Sequence, residues 1–314
     1  MKKLISYIFP IYNESGNIDL LYSTLKTLLD GRADYVYEVI FINDGSKDDS
    51  LDKILAIQKK DNNVVVIDFA RNYGHQIAVT AGLDYAKGDA VIIMDSDMQD
   101  PPAISFELIA KWEEGFDVVY AQRRTRQDSP FKRFTAAAFY RLLNKLSDID
   151  IPRDTGDFRL LDRKVVDELK KFKEHDRFLR GMVSYVGFKQ VAVLFDRAGR
   201  HEGVTGYPIK KMIRFAADGI TGFSTTPLKL IRYVGLVIAL FTFLGALYAL
   251  VLKIISPDTV VQGWTFIVMS ILFIGGIQLI MLSVLGSYIG RIYNEVKGRP
   301  LYGVANVFKD DQKK

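Results

Sequence analysis

The segment VIIMDSDMQDPP, residues 91–102, sets Asp95, Asp97 and Asp100 within six positions at the end of an apolar run. Two unit charges about 4 Å apart repel by roughly 1 kcal/mol in water and by about 4 kcal/mol at an effective dielectric of about 20. A divalent cation would remove that repulsion. Hard ions such as Mg2+ or Mn2+ take oxygen ligands, and Mg2+ is usually held by one or two carboxylates with substrate phosphates completing its shell. Asp95 and Asp97, alternating on an extended backbone at a strand end, are expected to bridge such an ion to a diphosphate. By itself an Asp-x-Asp spacing is weakly specific, because it recurs by chance.

The elements that must position these carboxylates follow from hydrophobic pattern. Strand-like runs at 4–9 (LISYIF), 37–42 (YEVIFI), 64–69 (VVVIDF) and 90–95 (AVIIMD) alternate with helical periodicity over about 17–29, 49–59 and 76–86. Such alternation predicts a parallel sheet covered by helices, with ligands beyond the carboxyl ends of the strands. Polar clusters sit at those ends: PIYNES, NDGSKDDS, ARNYGH and DSDMQDPP. Each has a purely structural reading, since Asn43, Asp44, Gly45 and Ser46 make a good turn and Asp48 or Asp49 a good helix cap. Their shared position along one edge favours a site.

The chain has 314 residues, 49% hydrophobic and 25% charged, so it is too apolar to be disordered. Residues 233–252 and 259–290 carry no charged side chain. Each reaches the roughly 20 residues that cross a bilayer core of about 30 Å, and a buried helical hairpin is the alternative. Lys229 and Arg232 precede the first stretch and Arg291, Lys297 and Arg299 follow the second, while Lys253 and Asp258 lie between. This asymmetry predicts cytoplasmic termini and a short external loop. The run Leu4–Phe9, stopped by Pro10, is too short for a signal segment, and the absence of cysteine fits a cytoplasmic domain. A net charge of +5 suits an anionic membrane surface, and no nucleic-acid recognition motif accompanies it. Residues 207–230 mix Lys and Arg with Ile, Met, Phe and Leu at near-helical spacing, which reads as an interfacial amphipathic helix or as an ordinary solvated face. His75, His175 and His201 share no metal-ligand spacing, so zinc is not expected.

Five ordered stretches, FPIYNE, VIFINDGSKDDS, FARNYGHQIAVTAGLDYAKGDAVIIMDSDMQDPP, DTGDFRLLDRK and DGITGFSTTPLKL, resemble the family-2 glycosyltransferases that charge a polyprenyl phosphate with a sugar. The chain is similar to bacterial bactoprenol (undecaprenyl-phosphate) glycosyltransferases over nearly its whole length. The resemblance implies an α/β fold, a GT-A Rossmann-like nucleotide-binding domain followed by interfacial amphipathic helices and two transmembrane helices. It divides the chain into a cytoplasmic catalytic domain over 1–206, an interfacial region over 207–230, a transmembrane hairpin over 231–292 and a cytoplasmic tail over 293–314.

Residue by residue, the resemblance puts Pro10, Tyr12, Glu14, Asp44 and Arg71 around the uracil and ribose of a UDP-sugar. Asp95 and Asp97 fall on the family's D-x-D, with Asp97 favoured as the direct metal ligand, and Gln99 and Asp100 complete its extension. Asp157 matches the catalytic carboxylate near the acceptor; Arg123, Arg126 and Arg200 are candidates for the acceptor phosphate or donor diphosphate. Where the family often reads Ser-Lys-Tyr-Pro, this chain has Thr205 and Gly206 before Tyr207, so Lys210 or Lys211 is the substitute candidate for a phosphate contact.

The implied activity is inverting, metal-dependent transfer from a UDP-sugar to undecaprenyl or another polyprenyl phosphate at the cytoplasmic membrane face, feeding cell-surface polymer glycosylation. UDP-glucose is the first choice of donor; UDP-N-acetylglucosamine or another UDP-hexose is the alternative, and a non-catalytic UDP-sugar sensor is a further one. A processive synthase fits less well, because neither Trp112 nor Trp264 lies in a Q-x-x-R-W motif. Homo-oligomerisation and a separate flippase partner are expectations of the same resemblance.

Overall fold

The computed structural model describes residues 2–32, 34–124, 155–196, 226–255 and 264–309. Four strands, β1 (Leu4–Ile11), β2 (Val36–Asn43), β3 (Val64–Phe69) and β4 (Ala90–Ile93), run parallel. They are linked by α1 (Ser15–Asp30), α2 (Ser50–Gln58) and α3 (His75–Tyr85), each close to its expected range. Beyond α4 (Ile104–Glu113) come β5 (Val118–Arg123), β6 (Thr155–Asp162), α5 (Arg163–Lys170), α6 (Leu179–Tyr185) and β7 (Gln190–Phe195). The sheet order is β7-β5-β6-β4-β1-β2-β3-β8, where β8 is Val304–Phe308.

The sheet is mixed rather than wholly parallel, because β6 is antiparallel to β4 and β5, and β8 is antiparallel to β3. The central strands are apolar on both faces because helices cover both. Ile5, Tyr7, Phe9 and Ile11 pack with Ile18, Leu21 and Leu25 of α1, while Ile8, Ile40 and Ile42 pack with Ala78, Val79 and Ala81 of α3. Each fully buried large side chain contributes about 1.5–3 kcal/mol. Helix α3 lies close on the sheet at Gly82, where a Cβ would stand 2.3 Å from Ile8 Cγ2.

Strand directions gather one end of the molecule into a site. The carboxyl ends of β1 to β4 share an edge, and the pair Ile93↔Arg159 sets the start of β6, with Asp157, just past the end of β4. The expectation that β4 extends through Asp95 is corrected: its last pair is Ile8↔Ile93, and Met94 N–H still bonds the Ile8 carbonyl at 3.1 Å. Beyond it the chain bends, with Met98 in the left-handed region at φ 58° and Asp97 Oδ1 accepting the Gln99 N–H at 3.1 Å. Asp95 and Asp97 therefore stand on a turn, not on an extended strand. Pro10 is tolerated in β1 for the same reason. It lies past the last β1–β4 pair, so its missing N–H removes no ladder bond, and its carbonyl accepts from Ser96 Oγ at 3.3 Å.

Helices α7 (Thr226–Ile255) and α8 (Trp264–Val296) are long and apolar enough to cross a membrane, and Leu236, Phe241, Phe243, Ile271, Phe273 and Leu279 are exposed along them. The stretch 293–314, expected as a tail, contributes the last turn of α8 and then β8. Strand β8 pairs with β3, Gly303 O accepts the Ala70 N–H at 3.0 Å, and Tyr302 stacks on Phe69 with ring centroids 5.1 Å apart. Five residues of VANVF carry little local signal; the exposed edge of β3 supplies their partner.

Candidate active site

The first two loops are stitched together by short polar side chains. Asn13 Oδ1 accepts the Lys47 N–H at 2.8 Å, Ser46 Oγ accepts the Asn13 N–H at 3.1 Å, and Ser50 Oγ accepts the Glu14 N–H at 3.0 Å. Asp48, rather than Asp49, is the side chain that acts at the start of α2, accepting the Ser50 and Ser15 N–H groups at 3.1 Å each. Glu14 Oε2 takes a bond from Asn17 Nδ2 at 2.6 Å, while Tyr12 is 44% exposed at the rim.

Asp44 is buried and ties the second loop to the third. Its two carboxylate oxygens accept the Tyr73 and Gly74 N–H groups at 2.6 and 2.9 Å, and its carbonyl accepts from Asn72 Nδ2 at 3.0 Å. Burial raises the Asp44 carboxyl above its ordinary value against the pull of those two N–H groups and of His75. The next residue is glycine by necessity. Gly45 has φ +67°, and a Cβ there would lie 2.6 Å from Asn72 N and 2.7 Å from Arg71 C. Arg71, held 4.1 Å over the Tyr73 ring, is exposed at the same rim.

At the centre stands Asp157, nearly fully buried. Its Oδ2 accepts from His75 Nε2 and Gln76 Nε2, each at 3.0 Å, and its Oδ1 accepts from Arg180 Nε at 2.8 Å. The same His75 nitrogen lies 3.7 Å from Asp95 Oδ1. Burial works against ionising Asp157, yet Arg180 and His75 outweigh it and hold the carboxyl well below its ordinary value. For His75 burial opposes charge, but the bond to Asp157 and the charges of Asp95 and Asp157 push it up to about 9. Asp95 shifts upward, first through burial and then through Asp157 and Asp97, with His75 pulling the other way. Below, buried Arg159 donates to the Gly156 carbonyl at 2.9 Å, and burial lowers it to about 10.

A divalent ion fits this chemistry. Asp95 and Asp97 supply hard oxygen donors in a patch where burial first, and then the charges of Asp157 and Asp97, raise the Asp95 carboxyl, a cost that a cation relieves. Among the described residues no group of three or more His, Cys, Asp or Glu side chains closes a coordination shell. A carboxylate pair completed by substrate phosphates is the donor set that Mg2+ accepts.

The structure thus brings Pro10, Tyr12, Glu14, Asp44, Arg71, Asp95, Asp97, Gln99, Asp100 and Asp157 to one edge. Arg123 ends β5 beside them, its guanidinium 3.9 Å from where a Cβ on Gly156 would stand. Arg126, Arg200, Thr205, Gly206, Lys210 and Lys211 lie outside the described residues, as does 207–225 of the interfacial region. Gln76 and Arg180 are additions that sequence reasoning missed. His75, which the sequence marks only by its lack of metal-ligand spacing to the other histidines, binds the central carboxylate.

Comparison with known proteins bears on this arrangement. The profile of Glycosyl transferase family 2 matches residues 6–170. The uncharacterized glycosyltransferase YkcC of Bacillus subtilis (strain 168) is 49% identical over 310 residues, covering 98% of this chain and 95% of that protein. The SfII prophage-derived bactoprenol glucosyl transferase of Shigella flexneri is 42% identical over 299 residues, covering 95% and 96%. Among solved structures, a glucosyl-3-phosphoglycerate synthase from Mycobacterium tuberculosis aligns with a TM-score of 0.47 and 20% identity over 70% of this chain and 78% of that one, too distant to transfer residues or ligands.

Proposed function

The chain belongs to glycosyl transferase family 2, and from that premise we propose that this glycosyltransferase moves glucose, with inversion, from UDP-glucose to a polyprenyl phosphate. Its mixed α/β sheet is the GT-A arrangement. The observation that carries the reading is the meeting at His75 of Asp95, from the turn after β4, and Asp157, from the start of β6. The glucose and the lipid phosphate are drawn from relatives of the whole chain named bactoprenol glucosyl transferase.

In this reaction an oxygen of the lipid phosphate attacks the anomeric carbon while the bond from that carbon to the diphosphate oxygen breaks on the opposite face. The attacking phosphate is already ionised at neutral pH, so no strong base is needed. Asp157 is suited to a different task. Three donors already occupy its oxygens and its proton affinity is depressed, which makes it a fixed negative charge facing a sugar that gains positive character. His75 and Arg180 hold that charge in place. Asp95 and Asp97 would hold Mg2+ or Mn2+, which when bound stabilises negative charge on the departing diphosphate. The loops of Tyr12, Glu14, Asp44 and Arg71 would receive the nucleoside.

The pairing of β8, which follows α8, with β3, which precedes α7, supports an even number of membrane crossings between them. Both ends of the hairpin then lie on the side of the catalytic domain, the cytoplasmic side by the flanking Lys and Arg residues. A lipid phosphosugar made there is a charged product, so a separate flippase is the expected partner, and self-association through α7 and α8 is a further expectation.

The test is product formation by the purified protein with undecaprenyl phosphate, Mg2+ or Mn2+ and a panel of UDP-sugars, read by mass spectrometry beside Asp97→Ala. A metal-dependent lipid phosphoglucose absent from the variant supports the proposal. A product from UDP-N-acetylglucosamine or another hexose donor alone reassigns the sugar, and nucleotide binding without any lipid product overturns the acceptor.

A further inference from the structure

A short run of contacts joins the end of α8 to the central carboxylate. Glu295 Oε1 accepts the His175 N–H at 2.7 Å, and its Oε2 lies 3.3 Å from His175 Nδ1. His175 Nε2 lies 2.7 Å from the Arg299 carbonyl oxygen, and Arg291 NH1 pairs with Asp176 Oδ2 at 3.1 Å. A few residues further along the chain, the Leu179 N–H donates to Gln76 Oε1 at 3.0 Å and Arg180 Nε donates to Asp157 Oδ1 at 2.8 Å. Gln76 passes its restraint on through Nε2, which donates to Asp157 Oδ2 at 3.0 Å. Two of the three donors to Asp157, Arg180 itself and Gln76 through the Leu179 N–H, are thus tied to the start of α6, which directly follows the segment that α8 contacts.

That segment is irregular, with a bond from the Arg177 N–H to the His175 carbonyl at 3.0 Å inside it. Residues 172–178 form neither helix nor strand between α5 and α6. Irregular segments with few backbone bonds belong to the low-stability end of a structure unless other contacts fix them. Arg291 and Glu295 are the first charged residues after the uncharged stretch 259–290, and their spacing of four places both on one helix face. They meet Asp176 and His175, adjacent residues of the irregular segment.

We propose that the C-terminal end of α8 is a positioning element of the active site, with Arg291 and Glu295 setting where Leu179 and Arg180 stand and thereby how Asp157 is aimed. This rests on the reading that Asp157 acts in glycosyl transfer. Arg291 and Glu295 touch no reacting atom; they are positioning residues. The long apolar helix is then more than a tether, since its exit point registers the catalytic carboxylate.

The experiment uses the full chain in lipid nanodiscs with undecaprenyl phosphate and the donor that supports turnover. Arg291→Asp, Asp176→Arg and the exchanged pair are compared with Glu295→Gln and Glu295→Ala. Each single charge reversal is expected to lower kcat by about tenfold or more, because displacement of a positioning group by about 1 Å can cost about a hundredfold. KM for the donor should stay within about twofold, as expected when ground-state binding is untouched. The exchanged pair should recover most of the rate, and Glu295→Gln, which keeps an acceptor for the His175 N–H, should lose less than Glu295→Ala. Hydrogen–deuterium exchange over 174–180 should rise in the single variants and fall back in the pair. Unchanged kcat and exchange in the reversals, a loss confined to KM, or a loss that the exchanged pair fails to recover would overturn the proposal. Asp157→Asn is measured alongside. Its retained turnover would overturn the catalytic reading, whereas an inactive Asp157→Asn beside fully active α8 variants would overturn the positioning role alone.

Discussion

His75 Nε2 lies 3.0 Å from Asp157 Oδ2 and 3.7 Å from Asp95 Oδ1, so one ring nitrogen faces carboxylates from two different strand ends. The first expectation follows from what Asn would do at position 157. An amide replaces one acceptor oxygen with a donor NH2, which then confronts His75 and Gln76 or Arg180, all of them donors. Asp157→Asn should lose about 10²–10³ in kcat, the scale of one electrostatic stabiliser, while calorimetric titration with UDP shows nearly unchanged affinity. Collapse of nucleotide binding would withdraw the catalytic role.

The same pair makes stability depend on pH with a definite sign. His75 is raised from an ordinary 6.5 to about 9, so the folded state holds its proton more tightly than the unfolded chain does. Its contribution is complete below about pH 6.5, declines as pH rises and is gone above about pH 9. Asp157 is depressed below an ordinary 3.8, so its contribution is present above that value and lost as pH falls through the lower folded one. Thermal unfolding of wild type and His75→Gln between pH 5 and 10 checks this: the gap between them should narrow from about pH 6.5 to about 9. A gap that stays constant over that range would refute it.

Gly45 should tolerate no side chain. At φ +67° with Asn72 N at 2.6 Å from an added Cβ, Gly45→Ala combines a left-handed penalty of about 1–2 kcal/mol with a clash against backbone that has no rotamer to change. Gly115, at φ +95° with nothing within 4 Å, is the control that pays only the conformational part. Urea unfolding should show Gly45→Ala losing clearly more than Gly115→Ala, and UDP affinity should fall only in the former, because the added Cβ pushes on the backbone of Arg71 in the neighbouring loop.

A divalent ion should stabilise the protein together with nucleotide. At about 100 times its dissociation constant a ligand adds about 2.7 kcal/mol to the folded state. The melting temperature should therefore rise when Mg2+ or Mn2+ and UDP are added together, return on chelation, and respond far less in Asp97→Ala. An equal rise in the variant would remove Asp97 from the ligand set.

Elements with strong local pattern were legible: LISYIF and YEVIFI became β1 and β2 with small extensions, VVVIDF became β3 with its expected bounds, and the helices between them followed their periodicity. Asp95, Asp97 and Asp157 were legible through motif resemblance, and the structure assembles them. Gln76 and Arg180 were not, since each reaches Asp157 from a helix start with no spacing rule that marks it, Gln76 across 81 positions of chain. The bond of His75 was hidden for the same reason: its partner Asp157 lies 82 positions away. The end of β4 was misread because AVIIMD is apolar to Met94, and a left-handed Met98 leaves no trace in hydrophobic pattern. Strand β8 escaped because five residues acquire their conformation from the edge of β3, more than two hundred positions earlier.

That late strand gives biosynthesis an ending condition. The ribosome finishes β1 to β7 long before VANVF emerges, and until then the edge of β3 presents unpaired N–H and C=O groups, the kind of template on which chains aggregate. On the proposed two-crossing topology, only a chain whose two long helices have gone out and come back can deliver β8 to that edge. A hairpin stalled halfway would leave the edge of β3 open. On that topology, insertion of the hairpin and closure of the catalytic sheet are reached in the same step, and the pairing of β8 with β3 marks its completion.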